Sequence, residues 1–266
     1  VKKFRVIPRD YGKYLGEKAI EVEQVCVATS TMSFEEYCDL RGLYFVVNSF
    51  YNKKAFKEII FYLRANNISV FKWLENIKKS LENDAGIVGE IYLKFLSETK
   101  TELWDSEDEL RDYYKNEENY NKLERGEEGA NLIMKYSTLF FYNLNEFAKT
   151  GIDILLNTEK DVNEHFIQDL LKYCIAIRGN IFDKTSDKVT EVFQYDVEEW
   201  IKHGSKKNVD RFKKLTTINF VKTEEQNEIM DNYTSRYGSN EDARGKIMDQ
   251  IGIENLFRKV ENVCTV

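Results

Sequence analysis

Residues 33–51, SFEEYCDLRGLYFVVNSFY, change the period of the chain, and their reading sets the fold class. Ser33 with Glu36 three places on is a capping box, in which the serine hydroxyl accepts from the Glu36 backbone N–H and the glutamate reaches back to the serine N–H. Behind the cap, Tyr37, Leu40, Tyr44, Val47 and Tyr51 recur at steps of three and four, which predicts one buried helical face. The period persists downstream. A second helix through Phe56, Ile59, Ile60 and Leu63 is expected to stop at Asn66 and Asn67, because Asn tolerates the left-handed cap conformation. Ser69 starts a third with Val70, Leu74, Ile77 and Leu81, and a fourth holds Val88, Ile91, Tyr92, Phe95 and Leu96. Links this short place successive helices antiparallel.

Composition agrees. The 266 residues include 1 Pro and 13 Gly, where average usage would give roughly 13 and 19. A proline deficit this deep favours long helices over a loop-rich chain. At 42% hydrophobic and 32% charged residues, the chain suits a soluble helical protein with wet outer faces. No apolar run reaches the ~18 residues of a membrane-spanning helix. A net charge of −7 disfavours a general nucleic-acid binder, which needs a basic surface to neutralise phosphates. Cys26, Cys38, Cys174 and Cys264 are scattered and there are only 2 His, which argues against a multi-ligand metal site and for reduced thiols in a cytoplasmic protein.

Upstream of Ser33 the pattern is extended. Residues 4–8 and 19–27 are β-branched and partly alternating, and Pro8 removes a ladder donor while pushing Ile7 into the extended region. The turn chemistry of Arg9, Asp10, Tyr11, Gly12 and Gly16 predicts a hairpin or strand–loop–strand between them. Downstream, the charged stretch 105–128 starts at a cap formed by Ser106 and Glu109 and ends between Gly126 and Gly129. It reads as a mobile insertion or a boundary. One long apolar helix is expected from Leu132 through Leu144 and Phe147 to Gly151, and another from Asp161 through Cys174. Residues 189–195 and 217–221 look extended and suited to pair in a small sheet. Short helices capped by Asp196 and Thr223 end at Gly204 and Gly238, and a final helical stretch holds Ile247, Met248, Leu256 and Phe257. The expected fold is mainly α: a multi-helix bundle with a short N-terminal β hairpin and a small sheet near the C-terminus.

Signatures of catalysis are missing from this sequence: no phosphate-binding glycine loop, no G-x-S-x-G elbow and no H-E-x-x-H helix. His165 falls at a helix start, and His203 at a helix C-terminus, where a cation suits the dipole. Two such histidines offer no nucleophile–base pair, so a self-contained hydrolase or transferase is set aside. Glu35 and Glu36, Glu198 and Glu199, and Glu224 and Glu225 each follow a cap, where negative charge stabilises the first turn. One segment mixes residue types beyond what packing demands. Arg5, Arg9, Asp10, Tyr11 and Gly12 gather two guanidinium forks, a carboxylate, a phenol and a glycine around the sole proline. Guanidinium groups bind carboxylates and phosphates bidentately, so the segment suits an anionic ligand, a neighbouring domain, or a local pair with Asp10.

These residues also carry a resemblance. Residues 5–12 (RVIPRDYG), the extended run to Thr29, residues 31–37 (TMSFEEY), residues 40–43 (LRGL, with Arg41) and residues 50–52 (FYN) together resemble the C-terminal region of cobalamin-binding-domain radical S-adenosylmethionine proteins. The specific match covers about the first 52 residues. The resemblance implies an N-terminal cobalamin-binding domain and a partial barrel as partners, holding a 4Fe–4S cluster, S-adenosylmethionine and cobalamin. This chain would bind none of them. Its nearest cysteines, Cys26 and Cys38, are not in the family's CxxxCxxC spacing, and Asn163-Glu164-His165 with Gln168 departs from D-x-H-x-x-G. The expected organisation is therefore an extended segment, 1–30, joining to the barrel, and a helical accessory domain, 31–266, with a sub-boundary near 105–129. Beginning at Val1, the chain is read as the tail of such an enzyme, inactive alone, with Arg5, Arg9, Asp10, Tyr11, Gly12 and Arg41 as its substrate or docking candidates. The competing expectation is a freestanding helical module whose aromatic grooves bind a partner protein.

Overall fold

The capping box forms as read. Ser33 Oγ accepts from the Glu36 N–H at 3.1 Å and Glu36 accepts from the Ser33 N–H at 2.6 Å, opening helix α1 (Phe34–Val46). A computed structural model describes residues 1–179, 181–182, 188–203 and 208–265. It continues through α2 (Lys57–Ala65), α3 (Val70–Leu81), α4 (Ile87–Thr101), α5 (Glu107–Lys115), α6 (Glu117–Glu124), α7 (Leu132–Tyr142), α8 (Leu144–Thr158) and α9 (Glu164–Arg178). Strand β1 (Lys2–Tyr14) pairs antiparallel with β2 (Glu17–Cys26). In the last third, β3 (Val189–Tyr195), β4 (Lys213–Val221) and β5 (Lys259–Thr265) form an antiparallel sheet in the order β3-β4-β5. Helices α10 (Val197–Lys202), α11 (Glu224–Tyr237) and α12 (Glu241–Ile251) lie between its strands. The fold is mainly α, and no helix among the described residues is long and apolar enough to cross a membrane.

The buried face of α1 is not the one its spacing suggested. Leu40 and Tyr44 are 52% and 45% exposed and Tyr51 36%, while Cys38, Gly42, Phe45, Val46 and Phe50 face the core. Two causes fix this rotation. Gly42 lets α4 come close, since a Cβ there would stand 2.3 Å from the Tyr92 hydroxyl. The larger rings also win the interior: Phe45 stacks on Phe95 at 5.1 Å between centroids, and Phe50 meets Phe56 at 5.0 Å and Phe140 at 5.3 Å. Past Val46 the helix widens into a π turn over Val47–Asn52, with the Lys53 N–H donating to the Asn48 carbonyl at 2.9 Å.

Other boundaries shift for local reasons. The hairpin turns at Leu15 and Gly16, both left-handed (φ 53° and 88°), as a two-residue hairpin turn requires. Residues 9–12, expected in that turn, lie in β1. Asn143 divides the expected single helix into α7 and α8: its side-chain amide donates to the Leu139 carbonyl at 2.8 Å. Gly151 consequently sits inside α8. Asn163, not Asp161, caps α9, accepting from the Phe166 N–H at 3.0 Å. The anticipated pairing of residues 189–195 with 217–221 is present, and β5 extends that sheet beyond the expected final helix. Gly204, read as a helix stop, lies outside the described residues.

The charged stretch 105–128 folds onto the hairpin. Leu110, Tyr114, Tyr120 and Leu123 from α5 and α6 share a second buried core with Val6 of β1. The main core, in which Phe45, Phe50, Phe140 and Phe147 meet, is separate.

Candidate functional site

Pro8 has a consequence inside β1. The ladder pairs Val6 with Val22 and next Tyr11 with Ile20, so residues 7–10 bulge away from the partner strand. Arg9 at the top of the bulge is left-handed, φ 66°, an unfavourable conformation for a residue with a Cβ. It is held there by α12: Arg9 Nε donates to Asp242 Oδ2 at 2.5 Å and Nη2 to the Asp242 carbonyl at 2.7 Å. Asp242 Oδ1 in turn accepts from the Asn131 N–H at 3.2 Å, and Asn131 caps α7 by accepting from the Met134 N–H at 3.2 Å. The bulge thus fixes where the N-terminus of α7 points.

That end of α7 faces a cleft of about 300 Å³ bounded by β1, α1 with its π turn, and α12. Three cations line it: Arg5, Arg41 and Lys53. Arg5 is tied down, with Nε donating to Glu23 at 2.7 Å and Nη1 to Glu102 at 2.9 Å. Burial works against its charge, but Glu102 and Glu23 outweigh it and raise its pKa further. Burial likewise pushes the Glu102 carboxyl up, opposed by Arg5 and Arg41. Lys53 pairs with Asp249 of α12, the one carboxylate among the described residues that line the cleft. Arg41 differs. Its guanidinium lies 5.7 Å over the Phe95 ring, and its Nε is buried with no hydrogen-bond partner. Asn48 from the π turn, Asn131, Tyr44 and Pro8 complete the walls, with Asn48 held by a 3.0 Å bond from its amide to Ser137 Oγ.

Of the six residues picked from sequence, the structure brings Arg5 and Arg41 to one cleft. Arg9 stands behind it as a positioning residue. The Tyr11 hydroxyl donates to the Leu123 carbonyl at 2.8 Å, fastening the hairpin to α6. Gly12 packs beside the Tyr14 ring, and Asp10 is exposed, so the Arg–Asp10 pair does not form: Arg5 pairs with Glu23 across the hairpin and with Glu102, and Arg9 with Asp242. Lys53, Asn48, Asn131 and Asp249 were missed. Asn131, a cap residue directly before the apolar run from Leu132, carried a readable signal, whereas Lys53 is the C-cap of a π turn, which helical spacing does not announce.

The described residues hold no group of three or more His, Cys, Asp or Glu placed to bind a metal ion. Cys26 and Cys264 are exposed and Cys38 and Cys174 buried on separate elements, a set that does not fit a 4Fe–4S cluster. Among known proteins, no family model matches the chain and no curated protein matches it.

Proposed function

We propose that this chain is a helical accessory region that docks to the barrel of a cobalamin-binding radical S-adenosylmethionine enzyme and covers its substrate site, in the cytoplasm. The observation that carries the reading is the rotation of α1. Within the stretch that bears the resemblance, the fold leaves Leu40 and Tyr44 on the outside and Tyr51 partly so, with the Arg64 guanidinium 5.5 Å over its ring, an apolar stripe that the chain itself only partly covers. Scattered exposed apolar residues are ordinary, but contiguous ones mark interaction surfaces. The stripe is continuous at one end with the cationic cleft, through Tyr44. At the other, through Tyr51, it meets a groove of about 750 Å³ walled by Ile60, Phe61, Ile177 and Ile201. In this reading the cluster, S-adenosylmethionine and cobalamin belong to the partner domains, and no chemical step is assigned to this chain.

The same stripe suits an unrelated partner protein, and one titration separates the two readings. The purified chain is mixed with the cobalamin-binding and barrel domains of a family member truncated before its C-terminal region. Saturable binding that Leu40→Glu weakens by at least about tenfold, the scale of a charge placed in an apolar contact, is expected. Absence of binding, with the chain folded, favours the freestanding interaction module.

A further inference from the structure

We infer that the cleft between β1, α1 and α7 is a binding site for a small organic oxyanion, a phosphate or carboxylate on a compact apolar body. The inference stands on the cleft alone and does not require the barrel.

Charge is the first ground. Arg5, Arg41 and Lys53 converge on the cavity while only Asp249 opposes them from its walls, and Asp249 is engaged by Lys53. Glu23 and Glu102 hold Arg5 from behind through Nε and Nη1, leaving Nη2 outside both pairs. Arg41 is the decisive group. A guanidinium carries five donors in a planar fork matched to an oxyanion, yet Arg41 makes neither an ion pair nor a hydrogen bond among the described residues, and its Nε is removed from water. A buried donor without an acceptor is unfavourable, so its retention here is explained if a ligand supplies the acceptor. A bound oxyanion would meet the Arg41 fork, the free edge of Arg5 and the Lys53 ammonium from different sides.

The scaffold adds a second ground. The 11-residue α7 opens onto the cavity through Asn131, Leu132 and Ile133, and first-turn N–H groups and the helix dipole favour negative charge there. Asn131 spends its side chain on the Met134 N–H, and Asp242, locked by Arg9, fixes its backbone. The site is thus organised before any ligand arrives. Volume is the third ground. At about 300 Å³ the cavity exceeds a bare phosphate and sits at the lower bound for small-molecule sites. Pro8, Tyr44, Leu132 and Met134 supply apolar wall for the remainder.

The test is calorimetric titration of the full chain at low ionic strength with inorganic phosphate, phenyl phosphate and benzoate. One-to-one saturable binding is expected, with phenyl phosphate tighter than inorganic phosphate because the body is also recognised. Phenyl phosphate binding tighter than benzoate assigns the oxyanion as phosphate, and the reverse order assigns it as carboxylate; both uphold the site. Arg41→Ala is expected to weaken the better probe by at least about tenfold, as for a lost charge-assisted pair, and Arg41→Lys by less, since charge is kept and the fork lost. Tyr44→Glu, at an exposed position that tolerates substitution, places a carboxylate at the mouth and is expected to weaken binding by a similar factor even where Arg41→Ala fails to fold. No saturable binding of any of the three probes, or unchanged affinity in Tyr44→Glu and Arg41→Ala, overturns the proposal.

Discussion

Arg178 and Glu58 place charge in the main core, with side chains 2% and 9% exposed. The Arg178 fork donates to Glu58 at 2.9 Å and to the Lys54 carbonyl at 2.8 Å, and the buried Cys174 thiol donates to Glu58 at 3.3 Å. Burial pushes that thiol well up, with Glu58 adding to the effect, so it stays protonated and acts as a donor. Lys54 is left-handed, φ 55°, and Arg178 fixes the carbonyl that follows this strained backbone. Arg178→Ala would leave a buried carboxylate uncompensated, and a loss of about 3–5 kcal/mol is expected in urea unfolding; a loss under about 1 kcal/mol would show that the pair is not a structural tie. Such pairs are invisible in sequence because their partners lie more than a hundred residues apart. The same holds for Arg9, 233 residues from Asp242, and nearly so for Arg5, 97 residues from Glu102; the chemistry of both was readable and these partners were not. Arg41 was legible only as part of a resembling motif.

At the scale of elements, caps and breakers read well because their chemistry is local. Ser33, Ser69, Ser106, Asp196 and Thr223 each accept from the helix N–H groups their spacing implies, and Asn67 takes the left-handed conformation, φ 58°. The facing of α1 was misread because five apolar residues at helical spacing do not say which of two adjacent stripes has larger rings and a glycine for the neighbour to approach. The charged stretch 105–128 reads as a mobile insertion or a boundary; its apolar residues Leu110, Tyr114, Tyr120 and Leu123 pack on Val6 of the hairpin, a partner that the local sequence does not name. What holds its charges is the hairpin: Lys13 and Lys18 each reach Glu117 at 2.8 Å. Their hydrogen bonds, Lys13 first, bring the Glu117 pKa down to about 2. An unfolded glutamate titrates near about 4.3, so the tie is complete above that value and is lost as pH falls through the folded pKa. The side-chain carboxyl resonance of Glu117 is accordingly expected to titrate near pH 2, and a midpoint near about 4.3 would mean that the hairpin and α6 are not joined there. Because these groups are exposed, added salt should move the midpoint back toward the ordinary value.

For the whole molecule, residues 1–52 do two jobs that the rest of the chain supports. The Pro8 bulge and Arg9 set the end of α7, and α1 with its π turn places Arg41, Tyr44 and Asn48 on one side of a cationic cleft while leaving Leu40 and Tyr51 outside. The later helices and the C-terminal sheet hold those parts at fixed distances. Helical class, hairpin and small sheet were all legible from periodicity and caps, but the cleft was not, because it is made where four distant segments meet. We propose that this arrangement serves a radical S-adenosylmethionine barrel. The most direct test is the coding frame immediately upstream of Val1 in the source genome. An in-frame CxxxCxxC within a few hundred codons is the expected result, and a stop codon or an unrelated domain there would contradict the claim.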